Sequence, residues 1–330
     1  MVAAKIRDVA RAAGVSPSTV SRALAIPEMV SPATRERVRR AADHLHYAPN
    51  RAARGLITGR TGNIGLIVPD LANPFFPGVV KGVQARARDA DYAIFIADTD
   101  EDMTAEVGLV RALSKQVDGI VLCSPRMSED DVVSLGSETI LVLLNRRVGR
   151  IPAVTFDNAD GMRQTVAHLA ALGHRKVAWI GGPRSSWSNR ERSRSLRAAT
   201  TAAGLDLVIV GHFPPQFEGG VAAADLVVAT GATAVVTYND LMALGLLSRL
   251  RARGVAVPDR ISVVGIDDIP MAGMSSPALT TVSLAKERAG RAAVDLLLDL
   301  LAHPDGVLSP RRDLPAQLLV RDSTGVAHED

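Results

Sequence analysis

The sequence predicts an α/β protein: an N-terminal three-helix bundle of the helix-turn-helix kind, then two doubly wound lobes built on parallel sheets. Three observations predict it. Residues 1–60 carry 11 Lys and Arg against 4 Asp and Glu, whereas residues 61–330 carry 27 against 31. The first 48 residues space their apolar side chains as helices do, and from Asn63 short β-rich runs alternate with helix-length segments. About eleven candidate strands exceed what one sheet comfortably holds, which calls for two lobes.

The bundle comes first. Ile6, Val9, Ala10 and Ala13 recur at helical spacing. Gly14 offers the turn, because glycine tolerates positive φ. Ser16 is a good N-cap and Pro17 suits the first helical position, so a second helix starts there with Val20 and Leu24 inward. Ser31-Pro32 repeats that start signal, and Val38, Ala42 and Leu45 line a third helix. Pro17, Ser18, Ser21 and Arg22 face outward on the second helix. Small polar residues with an arginine near a helix N-terminus suit a major groove, where the Arg22 fork matches guanine O6 and N7. The basic surplus supports a polyanionic partner.

Pro49 opens a short Arg-rich stretch that reads as a hinge or linker. The expected domains are therefore 1–48, a linker over 49–61, and a core over 62–330. Within the core, NIGLIV, AIFIA, GIVL, TILVLL, KVAWIG, AVVT and ISVVG read as strands. Helices are expected at about 75–90, 104–115, 158–172, 188–203, 239–253 and 285–302. One lobe takes about 62–160 with 290–320, and the other 161–289 with 321–330.

Composition excludes several classes. The chain is 47% hydrophobic and 22% charged, and has no run approaching the 18 apolar residues of a membrane span. Its first residues interrupt apolar positions with charge, unlike a signal peptide. Cys123 is the single cysteine, which fits a reducing compartment, so a cytoplasmic location is expected. No Walker A, GxSxG or paired CxxC motif occurs, so neither catalysis nor a cofactor or metal is expected. His168 and His174 flank a helix end, where histidines meet the helix dipole.

The segment IRDVARAAGVSPSTVSRAL, residues 6–24, resembles the N-terminal signature of the LacI/GalR regulators. HLHYAPNRAARGL (44–56), VPDLANPFF, NDLMALG, VVGIDD and SPALTTV continue the likeness in order. It implies a homodimeric transcriptional regulator, a repressor, that binds a palindromic operator in double-stranded DNA and is switched by a small molecule. The positions matching Pro17, Ser18 and Arg22 then touch base edges, with Ser16, Thr19 and Ser21 beside them. Asn50, Arg51, Ala53 and Leu56 belong to a hinge helix formed on DNA, whose Leu56 wedges into a minor-groove step.

The resemblance also implies a core like the periplasmic sugar-binding proteins, with a ligand cleft at the strands' carboxyl ends. Asn73, Phe75, Phe76, Arg146, Arg192, Asn239 and Asp267 sit just after strands or near helix starts, and match sugar-contacting positions of pentose-type members. Aromatic faces with Asn, Asp and Arg suit a sugar ring. Asp157, at the lobe crossover, joins the candidates, and Asp240 is expected to cap its helix. Leu284 lies where many relatives have a glutamine that bonds the ligand, which argues against assuming that the ligand is ribose. Trp187 and Phe213 are placed to stack on a base, so a purine is the alternative to a sugar. A regulator that senses nothing is the remaining one.

Overall fold

A computed structural model describes residues 4–47, 59–303 and 311–328. The bundle comprises α1 (Ile6–Ala13), α2 (Pro17–Ala25) and α3 (Pro32–His44). Gly14 ends α1 with φ +65°. The Ser16 hydroxyl accepts the Thr19 backbone N–H at 3.1 Å, a cap worth about 1 kcal/mol. Val9, Ala10, Ala13, Val20, Ala23, Val38 and Ala42 form a small separate core.

The body has twelve strands among the described residues. The first sheet is ordered β11-β5-β4-β3-β1-β2 and the second β12-β10-β9-β8-β6-β7. The strands are β1 (Asn63–Val68), β2 (Ala93–Asp98), β3 (Gly119–Cys123), β4 (Leu141–Leu144), β5 (Ala153–Phe156), β6 (Lys176–Gly181), β7 (Asp206–His212), β8 (Ala234–Thr237), β9 (Ser262–Asp267), β10 (Thr280–Leu284), β11 (Arg311–Leu314) and β12 (Ala316–Leu319). The helices are α4 (Phe75–Asp89), α5 (Met103–Leu113), α6 (Glu129–Glu138), α7 (Asn158–Ala171), α8 (Trp187–Ala203), α9 (Phe217–Ala229), α10 (Asp240–Ala252), α11 (Pro270–Met274) and α12 (Lys286–Ala302). The inner strands of both sheets are buried at nearly every residue, as parallel strands covered on both faces must be, while the edge strands β2, β7, β11 and β12 are partly exposed.

The predicted parallel arrangement has one exception. β11 runs parallel to β5, but β12 runs antiparallel to β10. The two are one extended segment broken only at Pro315. A strand that leaves one sheet at its carboxyl end enters the facing sheet against the direction of its neighbours. The last crossing therefore falls between Leu314 and Ala316, before the predicted limit at residue 320. The first crossing lies at Asp157, where its backbone N–H donates to Leu314 O at 2.8 Å. The middle crossing lies at Ala285, because α12 packs on α4 from its first turn.

Three helices, α6, α9 and the short α11, lie outside the predicted set. The sequence Phe217-Glu-Gly-Gly discourages a helix locally. The reason for those glycines is tertiary. A Cβ on Gly220 would lie 1.9 Å from Met242 O, and one on Gly245 would lie 1.9 Å from Phe217 O. Helices α9 and α10 thus cross backbone to backbone. Gly82 and Gly290 serve the α4–α12 crossing in the same way, with Cβ positions 2.0 Å from Glu287 O and 2.4 Å from Val79 O.

The histidines do more than meet a helix dipole. His174 is buried, with its ring nitrogens 2.8 Å from Thr233 Oγ1 and 3.0 Å from Ser262 Oγ, and His168 reaches Thr324 Oγ1 at 2.9 Å. They tether the final segment to the second lobe.

Candidate functional site

The outward face of α2 is exposed at Ser16, Pro17, Ser18 and Arg22, and half-buried at Thr19 and Ser21. The Ser16 hydroxyl lies 2.8 Å from Ser18 Oγ and 2.9 Å from Thr19 Oγ1, which fixes the first turn. Arg7, Arg11, Arg35, Arg37, Arg39 and Arg40 are exposed on the same small bundle. Glu36 forms exposed ion pairs with both Arg39 and Arg40 along α3 and offsets one of these charges. The hinge candidates Asn50, Arg51, Ala53 and Leu56 lie outside the described residues.

A narrow cavity opens between the two sheets at the carboxyl ends of their strands. From the first lobe come Asn73, Phe75, Phe76, Glu101, Ser124, Arg126 and Asn145. From the second come Arg192, Pro215, Tyr238, Asn239 and Asp267. Of eight non-glycine residues with positive φ among those described, four line this cavity: Glu101, Ser124, Asn145 and Asp267. Such backbone is costly for L residues and gathers where side chains must be aimed.

Each wall has its own order. Phe75 and Phe76 meet edge to face at 5.1 Å, and Phe75 leans on Phe156 at 6.1 Å. Asn73 Oδ1 accepts the Phe75 N–H at 3.0 Å, fixing the start of α4. Asn145 Nδ2 donates to Ser124 Oγ at 2.9 Å, while its buried Oδ1 has no donor. An unpartnered buried acceptor costs about 1–3 kcal/mol, a cost a bound donor removes.

In the second lobe Arg192 is 2% exposed and donates to Tyr238 O at 2.6 Å, Asn158 Oδ1 at 3.3 Å and Asp267 Oδ1 at 3.4 Å. Its guanidinium sits 5.1 Å from the Tyr238 ring centre. Burial pushes the Asp267 carboxyl up to about 6, against the opposing pull of Arg192 and Lys286. Lys286 Nζ donates to the carbonyls of Asp267 and Asp268, tying the middle crossing to the cavity floor.

Several expected residues do not face the cavity. Arg146 is buried, but its Nη1 donates to Pro125 O at 2.8 Å and Met127 O at 2.7 Å, so it clamps the loop after β3. Asp157 is exposed and caps α7 by accepting the Asp160 N–H at 2.9 Å. Trp187 begins α8 outside the lining, and the Phe213 ring packs near Gly211. Asn239 lines the cavity with its amide already engaged: Oδ1 caps Met242 N–H at 2.9 Å and Nδ2 donates to Pro215 O at 2.7 Å. Asn239, not Asp240, is the cap of α10. Asp240 is wholly buried behind the cavity, accepting from Thr281 Oγ1 at 2.6 Å and Ile269 N–H at 2.9 Å.

Sequence reasoning missed Glu101, Ser124, Arg126, Pro215 and Tyr238. Of the pair Asn145-Arg146, which the sequence places just after β4 at the cleft rim, the cavity takes Asn145. The charged pair Glu101 and Arg126 had no signal in the sequence, since it joins loops after two different strands.

Comparison with known proteins agrees with this geometry. Residues 5–50 match the family model described as bacterial regulatory proteins, lacI family, and residues 166–324 match a periplasmic binding protein-like domain. The chain is 34% identical over 307 residues to the HTH-type transcriptional repressor PurR of Photobacterium profundum, covering 90% of this chain and 91% of that one. The lac repressor dimer bound to operator and the anti-inducer ONPF superposes with a TM-score of 0.84 at 29% identity, covering 98% of this chain and 100% of that one. The transcriptional regulator CelR in complex with cellobiose gives 0.73 at 32% identity, covering 97% and 99%. A three-helix DNA-binding head on two lobes that enclose a polar cavity, matched along nearly its whole length, makes this chain a member of the LacI family, a DNA-binding transcriptional repressor and not an enzyme.

Proposed function

We propose that this repressor acts as a homodimer on a palindromic operator and that a purine base in the interlobe cavity sets its operator affinity. The cavity's lining carries the reading: the rings of Phe75, Phe76 and Tyr238 border it, and the buried Asn145 Oδ1 awaits a donor. Full-length likeness to purine-responsive repressors favours the base over the sugar expected from the cleft motifs. Trp187 and Phe213 leave the stacking role to the three rings at the cavity.

A ligand touching both walls stabilises one arrangement of the lobes. Three chain crossings carry that preference towards the DNA-binding head. Coupling of this kind amounts to about 1–3 kcal/mol. A saccharide is the second reading, favoured by the cellobiose complex of a relative.

Thermal unfolding and operator titration test the proposal with adenine, guanine, hypoxanthine and xanthine against a panel of monosaccharides. A ligand at 100 times its Kd stabilises the fold by about 2.7 kcal/mol. A shift with a purine, paired with a change in operator affinity, is the expected result. A shift with sugars alone replaces the base by a sugar, and no shift with either class rejects both readings.

A further inference from the structure

Four of the cavity's lining residues are charged: Glu101, Arg126, Arg192 and Asp267. Each cation holds a carboxylate of its own lobe. Arg126 Nε and Nη2 donate to the two Glu101 oxygens, each at 2.7 Å, a bidentate pair. Arg126 Nη1 donates to Ser124 O at 2.8 Å. The Arg126 side chain is 3% exposed and that of Glu101 17%. Arg192 and Asp267 pair more loosely, at 3.4 Å. The formal charge of the lining is therefore zero.

A buried ion pair is a poor way to gain stability, because removing both charges from water costs about what their attraction returns. This pair also faces a cavity rather than a packed core. Arg126 alone would make that cavity an anion site, since a planar guanidinium fits phosphate and carboxylate. Glu106 lies near Arg126 but cannot take the place of Glu101. Its oxygens accept the backbone N–H groups of Arg126 and Met127, and it does not line the cavity.

We infer that Glu101 is a built-in counter-ion that closes Arg126 to anions, so that the cavity admits neutral effectors and rejects phosphorylated or carboxylated ones. An entering phosphate would have to reach Arg126 past the Glu101 carboxylate. A neutral ligand meets no such barrier. Arg126 has five N–H donors and three are engaged, which leaves two for the ligand. The Glu101 oxygens keep lone pairs beside them. A free base or free sugar, which both donates and accepts, uses both halves of the pair. The inference rests on this cavity being the effector site, but not on the effector being a purine.

Isothermal titration of the full-length protein with inorganic phosphate and with ribose 5-phosphate tests it. Wild type, Glu101→Gln, Arg126→Gln and the double variant are compared after each is checked for cooperative thermal unfolding. The readout is the binding that depends on Arg126, which sets aside phosphate held by the basic head. Wild type is expected to show none. Glu101→Gln is expected to bind phosphate at least about tenfold more tightly than wild type, and the double variant to lose that gain. Arg126-dependent binding of either probe by wild type overturns the inference, as does a folded Glu101→Gln protein with no gain. Should Glu101→Gln fail to fold, the comparison of wild type with Arg126→Gln decides. A phosphate gain in Glu101→Gln alongside no purine binding by wild type upholds this inference while rejecting the purine reading.

Discussion

Asp240 shows how a single buried carboxyl shapes the second lobe. It is wholly buried, and burial, with the Asp267 charge added, pushes its pKa up to about 7. In the unfolded chain the same group titrates near about 4. The folded state therefore binds more protons across that window, and stability falls as pH rises from about 4 to about 7 before levelling off. Asp240→Asn keeps an acceptor for the Ile269 N–H and a donor for Thr281 Oγ1 without titrating. Urea unfolding at pH 5 and pH 8 should show the difference between variant and wild type moving in the variant's favour by at least about 1 kcal/mol. A pH-independent difference would mean that Asp240 is ionised throughout. At this scale the sequence is most legible where the signal is local. Ser16 and Gly14 act as their neighbours imply. The sequence points to the pair Asn145-Arg146 after β4, and the cavity takes Asn145, whose φ of +58° turns the chain out of the strand.

Helices α9 and α10 carry the same lesson at the scale of elements. Propensity is local, and Gly219 and Gly220 read as helix breakers. Only the partner helix shows why they are there, since the Gly220 Cβ position falls 1.9 Å from Met242 O. Gly220→Ala must separate the two helices, a form of overpacking that costs about 1–3 kcal/mol. Gly108, exposed inside α5, has nothing within 4 Å of its Cβ position. There alanine should instead gain about 0.5–1 kcal/mol by lowering backbone entropy loss. Chemical denaturation of the two variants reads both signs. Equal effects would show that the crossing is looser than its geometry implies. The strands are easier to foresee than these crossings, because an apolar run between helix-length segments declares itself without its neighbours.

The whole molecule divides its charge between head and body, and that division separates two kinds of DNA binding. Residues 1–60 carry the basic surplus, which attracts any duplex through its phosphates. In the proposed complex specific recognition falls to the few side chains on the outer face of α2, of which Arg22 is exposed and carries the planar fork that guanine readout needs. A bidentate contact of that kind is worth about 1–3 kcal/mol. In the proposed dimer both halves of the operator lose it together, so Arg22→Ala should cost twice that, about 2–6 kcal/mol, on a selected operator. The salt dependence of binding to a scrambled duplex should change by no more than the loss of one phosphate contact per protomer. Anisotropy titrations on both duplexes at several salt concentrations separate the two effects. Equal losses on operator and scrambled DNA would move Arg22 from base reading to phosphate binding and leave the specificity of α2 to Ser18 and its neighbours.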